Sequence, residues 1–316
     1  MDPNLQYWKS QGKSFFSRLR LWFDLLDPSY LLSSDDEIKK ARVLIASGGK
    51  LPNDNTIVNA WKLSLSSVHA DTGAVLPVVF RPQALFPISA PLIVASFLPH
   101  SGVKPALFWQ FMLQSYNAGF NFANRNSSAE QGKNTAMKQV LLLVGSVAYS
   151  TCAGAIPQIV VQRLGVINPP AQVFFRSVLP VPLSVALAYF NVHVVRSEES
   201  ENGILVFDSN GNAVGTSKEA GAKAVQDTAL SRAILLGTTA AVPNLLVFFS
   251  KTAKLLTSRP LLVAPIRHIS TALVLGLMIP VSFSLFPQLG TIKREKLEKE
   301  LQAATIDGQL FYHRGL

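Results

Sequence analysis

Five carboxamides, Gln110, Gln114, Asn117, Asn121 and Asn124, are spaced four, three, four and three residues apart in a stretch without formal charge. That period puts all five on one face of a helix. Phe108, Trp109, Phe111, Met112, Leu113, Phe120 and Phe122 fill the other faces, so a neutral polar stripe runs along an apolar body. A carboxamide both donates and accepts, which suits it to hold a zwitterion without burying net charge. Where the stripe ends, Arg125 stands between Asn124 and Asn126 and offers a guanidinium that can grip a carboxylate with two parallel hydrogen bonds. Two chemistries fit these residues: a polar path for a small zwitterion, or interhelical hydrogen bonding worth about 1 kcal/mol or less per amide. In both, the stripe faces protein, water or ligand, because an unsatisfied polar group in an apolar medium costs roughly 1–3 kcal/mol.

A second constellation is His69-Ala70-Asp71-Thr72-Gly73. It suits either a titratable gate beside a membrane or a structural turn in which Asp71 caps its own backbone. His100, His193 and His268 have no His or acidic partner one helical turn away, so no metal site is expected. No phosphate-cradling glycine loop, nucleophile elbow or paired-carboxylate arrangement appears, so neither an enzyme nor a cofactor is expected. Asp208 to Asn212 lacks the acidic ligands and terminal Glu of a calcium loop. Cys152 cannot form an intrachain disulfide and reads as a small packing residue.

The elements that must position these groups are membrane helices. Of the 316 residues 48% are hydrophobic and only 15% charged. Six windows, 82–103, 105–124, 139–162, 177–195, 233–250 and 269–292, contain no Asp, Glu, Lys or Arg. Each has the length that crosses a hydrocarbon core of about 30 Å as a helix. The expected fold is therefore an all-α membrane protein: a bundle of about five transmembrane helices, with the amide-striped window as an amphipathic or partial helix. Net charge of +10 is spread over every connection, which favours anionic lipid over nucleic acid and leaves sidedness open. The N-terminus has neither the apolar stretch of a secretory signal nor the acid-poor character of a transit peptide.

Three regions follow. Residues 1–81 read as a peripheral helical region, with an amphipathic helix carrying Phe15, Leu19, Trp22 and Phe23 that lies at the interface or packs on the bundle. Ser33-Ser34-Asp35-Asp36-Glu37 offers an N-cap and an acidic first turn for a second helix, expected to stop at Gly48-Gly49. Residues 82–292 form the bundle. Within it Pro157 is expected to end a helix, while Pro243, Pro280 and Pro287 mark breaks of the kind tolerated where a polar cavity satisfies the freed carbonyls. From it a β-hairpin projects at 203–216, turning on Asp208-Ser209-Asn210-Gly211, and a helix follows at 217–232. Residues 293–316 read as a charged tail that begins with a helix to Glu300.

Several strings resemble one family, the sideroflexins: HADTG at 69–73, VFRP at 79–82, QSYNAGFNFANRN at 114–126, FDSNGNAVGTSK at 207–218 and LFPQLG at 285–290. Others, WFDLLDPS at 22–29, VRSEES at 195–200, AGAKAV at 220–225 and the final FYHRGL, resemble a divergent branch of it. The resemblance implies a multi-pass protein of the mitochondrial inner membrane that transports a small amino acid or related metabolite, with serine itself not assumed for this branch. It equally implies a membrane-embedded assembly factor for respiratory complex I, with links to iron and iron–sulphur homeostasis and with complex I assembly factors as partners. The family's turn reads HPDTG, whereas Ala70 replaces the proline here, which removes a backbone constraint.

Overall fold

Prolines and caps set where the apolar windows become helices. The computed structural model describes residues 1–47, 55–127, 133–163, 168–252, 260–303 and 307–316. The N-terminal region folds as α1 (Pro3–Gln11), α2 (Phe15–Leu25), α3 (Asp35–Ala46) and α4 (Asn55–Ser67). Ser34 is the N-cap of α3 and forms a reciprocal cap with Glu37, with Glu37 N donating to Ser34 Oγ at 3.3 Å and Ser34 N to Glu37 Oε2 at 2.9 Å. The expected stop at Gly48-Gly49 lies outside the described residues. Helix α2 packs on the bundle: its Trp22 indole lies 4.8 Å from the Phe283 ring, and Arg18 Nε donates to the Ser284 carbonyl at 2.9 Å. Phe16 and Phe23 stay exposed on its outer face.

The apolar windows yield α5 (Leu85–Phe97), α6 (Val103–Ala123), α7 (Lys133–Arg163), a short α8 (Pro169–Val173) and α9 (Pro180–Val195). After α10 (Ser197–Asn202) come α11 (Lys218–Thr252) and α12 (Val263–Ser284). Among the described residues four segments are long and apolar enough to cross a membrane: Met137–Arg163, Pro170–Val195, Lys218–Ser250 and Val263–Ser284. The first window gives a shorter helix, because α5 ends at Phe97 ahead of Pro99 and its 13 residues reach only about 20 Å at 1.5 Å per residue. Helix α6, at 21 residues, has the length to span but carries the amide stripe. Pro157 does not end α7, which runs on to Arg163, and α11 and α12 likewise continue through Pro243 and Pro280. Helices α5, α6, α7, α9, α11 and α12 pack in that order, and α12 closes on α5, so six helices form a ring. Cys152 lies on the outer surface of α7 and not in the packing.

The tail and the hairpin differ from expectation. Strands β1 (Ile204–Phe207) and β2 (Ala213–Ser217) do form the hairpin, but β1 also pairs with β4 (Gln309–His313), which pairs with β3 (Leu289–Lys293). The result is a four-stranded antiparallel sheet in the order β2-β1-β4-β3. The stretch after 293 is thus a strand end and a short turn before α13 (Lys299–Gln302), not a helix from 293 to 300. Helix-favouring Lys and Glu residues yield there to the tertiary pairing of Leu289 through Lys293 with a segment twenty residues on. Val206, Leu310, Tyr312 and Ile292 form the buried core of this sheet, and the N-terminal helices join Phe283 and Leu289 in the main core. One end of the ring is therefore covered by packed protein.

Candidate functional site

The ring encloses a cavity of about 210 Å³ to which every one of its six helices contributes. Gln110 and Gln114 face it from the stripe, with Gln114 Nε2 donating to Gln110 Oε1 at 3.4 Å. Gly154 on α7 makes room for that pair, since a Cβ there would sit 2.4 Å from Gln110 Oε1. Gln158, Asn244, Thr239 and Ser184 also line it, and so do Arg176 and Arg267. Gln158 Nε2 holds the carbonyls of Ser96 and Leu98, while its Oε1, Asn244 Oδ1 and Arg267 Nε are buried without a partner. Arg176 belongs to a π turn, Phe174–Val178, that joins α8 to α9 at the cavity wall. Such turns widen a helix locally and concentrate at functional sites. Among the described residues no carboxylate lines the cavity.

Deeper along the ring lies a chamber of about 30 Å³, which shares Ile93, Gln114, Ala188 and Leu236 with the larger one. Asn117, Asn121, Asn191, Ser89 and Arg232 supply its polar lining. Asn121 Nδ2 donates to Asn191 Oδ1 at 2.8 Å, and Asn191 Nδ2 reaches Ser146 Oγ at 3.4 Å, so these amides also tie α6 to α9 and α7. Gln110, Gln114 and Asn117 thus line space, and Asn121 joins helices while bordering it.

The last members of the stripe leave the cavity because α6 ends at Ala123. Asn124 Nδ2 donates to the carbonyls of Phe80 and Phe120, both at 2.9 Å. Arg125 lies buried outside the cavity, over the Phe122 ring at 3.8 Å, and donates to Gln139 Oε1 at 2.9 Å and to the Phe122 carbonyl. Asn126 Nδ2 donates to Glu199 Oε2 at 2.8 Å and to the His313 carbonyl at 2.9 Å. Its Oδ1 accepts from His313 Nδ1 at 2.9 Å.

The 69–73 turn locks onto this same loop. His69 Nδ1 accepts the backbone N–H groups of Asp71 and Thr72, both at 3.3 Å, so Nε2 carries the proton and donates to the Arg125 carbonyl at 2.6 Å. Burial holds the imidazole below its ordinary pKa, in the neutral form this geometry needs. Asp71 Oδ2 accepts Ser127 N at 2.8 Å, and Thr72 Oγ1 accepts Ala74 N at 3.3 Å. Burial raises the Asp71 carboxyl. Gly73, at φ 68°, completes the turn in a conformation that disfavours a side chain. The imidazole thus braces the turn without the proline that Ala70 replaces.

Beneath the turn, Arg196 and Glu199 form a two-pronged ion pair, Nε to Oε1 at 2.5 Å and Nη2 to Oε2 at 2.8 Å. Arg196 also donates to Thr228 Oγ1 and to the carbonyls of Arg314 and Leu316. Gly221 lets α10 lie against α11, since a Cβ there would fall 1.8 Å from the Glu199 carbonyl oxygen. Strings that lie far apart in the chain, 69–73, 124–127, 196–199 and 313–316, therefore meet in one cluster.

Of the expected breaks, Pro243 lines the cavity and leaves the Thr239 carbonyl, one turn back, without its helical donor. Pro280 lies inside α12, where Ser284 Oγ donates to its carbonyl at 2.6 Å, and Pro287 lies between α12 and β3. Gln158, Asn244, Arg232 and Arg267 were not singled out from the sequence, although each is a polar residue within or beside an apolar window.

A ring of apolar helices around a largely apolar cavity set with a few polar side chains defines a multi-pass membrane protein. The model of the family described as sideroflexins matches residues 2–316, and the chain belongs to that family. It is 58% identical to sideroflexin-4 of Danio rerio over the whole of both chains. It is 37% identical to sideroflexin-4 of Homo sapiens over all of this chain and 93% of that one. Identity to human sideroflexin-5 is 30%, over 97% of this chain and 91% of the other. No solved structure matches the chain.

Proposed function

We propose that this protein carries a small amino acid or related metabolite across the mitochondrial inner membrane, through the cavity inside its helix ring. The observation that carries this reading is the cavity's lining. Six helices converge on about 210 Å³ bordered by carboxamides, hydroxyls and two arginines, with several polar atoms left unpaired. Such atoms, costly when buried alone, are what a polar ligand would satisfy. The family relationship supports the membrane setting, and the compartment comes from the resemblance.

Uptake of labelled amino acids into liposomes containing the purified chain tests the reading. Gln114→Leu and Asn117→Leu are expected to slow uptake about tenfold, the loss of roughly 1.4 kcal/mol of hydrogen bonding each. Unchanged uptake by both folded variants would remove the cavity from the path. The assembly-factor reading draws on the covered end, where the N-terminal helices leave Phe16, Phe23 and Leu32 exposed. Full restoration of complex I assembly in deficient cells by an Asn117→Leu variant whose uptake is slowed about tenfold would favour it.

A further inference from the structure

Arg232 is 7% exposed, and neither terminal nitrogen of its guanidinium has a hydrogen-bond partner. Two rings hold it in place, with Phe283 at 4.6 Å and Phe120 at 5.2 Å. The charged and ionisable groups that act on it are Arg314, Arg196 and the phenol of Tyr116, so its surroundings add positive charge. No ion pair involves it among the described residues. A guanidinium is not deprotonated in proteins, so it cannot escape burial by becoming neutral. Yet it lines the deep chamber, beside Asn117, Asn121 and the unpartnered hydroxyl of Ser89.

We propose that Arg232 is an anion-binding subsite that seats the carboxylate of a small ligand, whose remaining atoms extend past Gln114 into the larger cavity. Size supports this division. The deep chamber's 30 Å³ corresponds to about two waters at roughly 10–15 Å³ each, enough for a carboxylate and too little for a whole metabolite. Gln114 borders both spaces, so one molecule can occupy the two together. Among the described residues neither space has an acidic side chain to pair with an ammonium group, which meets amide, hydroxyl and carbonyl oxygens there. Recognition therefore begins with the carboxylate, and the amino group adds less. The subsite rests on the transport reading only for the identity of the ligand's body.

Binding to the full-length chain in nanodiscs of zwitterionic lipid tests the assignment by calorimetry, with L-alanine, L-alanine methyl ester, propionate and inorganic phosphate as probes. L-Alanine and propionate are expected to bind, and the ester to bind about tenfold or more weakly. Arg232→Gln is expected to bring L-alanine down to the ester's level, with Arg232→Lys between. Equal binding of acid and ester to the unsubstituted protein overturns the proposal without recourse to any variant. So does unchanged L-alanine affinity in a monodisperse Arg232→Gln protein, an outcome that leaves the transport reading standing. Binding of propionate or phosphate that depends on Arg232, without binding of L-alanine, keeps the subsite and removes the amino-acid reading. Failure of every anion to bind overturns the subsite.

Discussion

Arg196 and Arg232 are both buried near the covered end of the helix ring, and they differ in what meets their donors. Arg196 finds a bidentate carboxylate, a hydroxyl and two backbone oxygens. Arg232 finds two aromatic faces and a small chamber. The first arrangement joins α9, α10, α11 and the chain's last residues, so its charge is spent on structure. The second leaves both terminal nitrogens of a charged group facing space. Burial alone therefore does not separate a structural arginine from a binding one; the accounting of its donors does.

The sharpest way to break this contrast is to remove Glu199. Glu199→Ala leaves Arg196 buried and deprives Asn126 of two acceptors. The expected loss is about 3–5 kcal/mol of unfolding free energy, measured by denaturant titration in detergent. A loss below about 1 kcal/mol would mean that the cluster is wetter than its packing shows. Arg232→Met is expected to act with opposite sign. With no partner left behind, it should leave the ligand-free protein equally stable or about 1–4 kcal/mol more stable. Destabilisation on that scale would assign Arg232 to the fold and not to a ligand.

How much of this contrast was legible in the sequence depends on the range over which each signal acts. The stripe was legible because helical spacing is local, and Gln110, Gln114 and Asn117 do face the cavity. Arg125 was not placed, because its position depends on α6 ending at Ala123, after which the chain turns outward. Arg232 escaped notice for a related reason: its charge marks the edge of the apolar window at Ala233, while helix α11 runs unbroken across that edge. Asn244 carried the same signal as the stripe, an amide in a charge-free window, but as a single residue it shows no period. The strand at Gln309 to His313 was hidden by distance, since its β1 partner lies about a hundred residues earlier. Alternation in a short polar tail cannot reveal that pairing, which packing against Ile204 and Val206 stabilises.

The covered cluster can also be probed through pH. Burial holds His69 below its ordinary value and His313 well below. Unfolded, each takes up a proton near pH 6.5, whereas folded it remains neutral there. The unfolded chain thus binds more protons below that pH, so stability is full above it and falls as the medium is acidified toward the folded-state values. Asp71, raised by burial, binds its proton more readily when folded and opposes the trend only in the carboxylate range. The expected slope between pH 6.5 and 5.5 is up to about 1.4 kcal/mol per pH unit for each histidine. His69→Gln, which keeps an N–H for the Arg125 carbonyl, should flatten it. An unaltered slope would assign the acid sensitivity to His313 alone.

The smallest effect sharpens the comparison most directly, because it holds distance constant. Lys138 Nζ and Glu201 Oε2 are 2.5 Å apart, the same separation as Arg196 Nε and Glu199 Oε1. Side-chain exposure is 55% and 50% in the first pair and 0% and 1% in the second. Water solvates the exposed charges whether or not they pair, so the bridge gains little over its separated state. Lys138→Ala is therefore expected to cost about 0.2–1 kcal/mol, less still in high salt. If it instead matched Glu199→Ala, proximity of charge and not withdrawal from water would govern both pairs. The unpaired guanidinium of Arg232 would then lose its meaning, because its cost too arises from withdrawal from water.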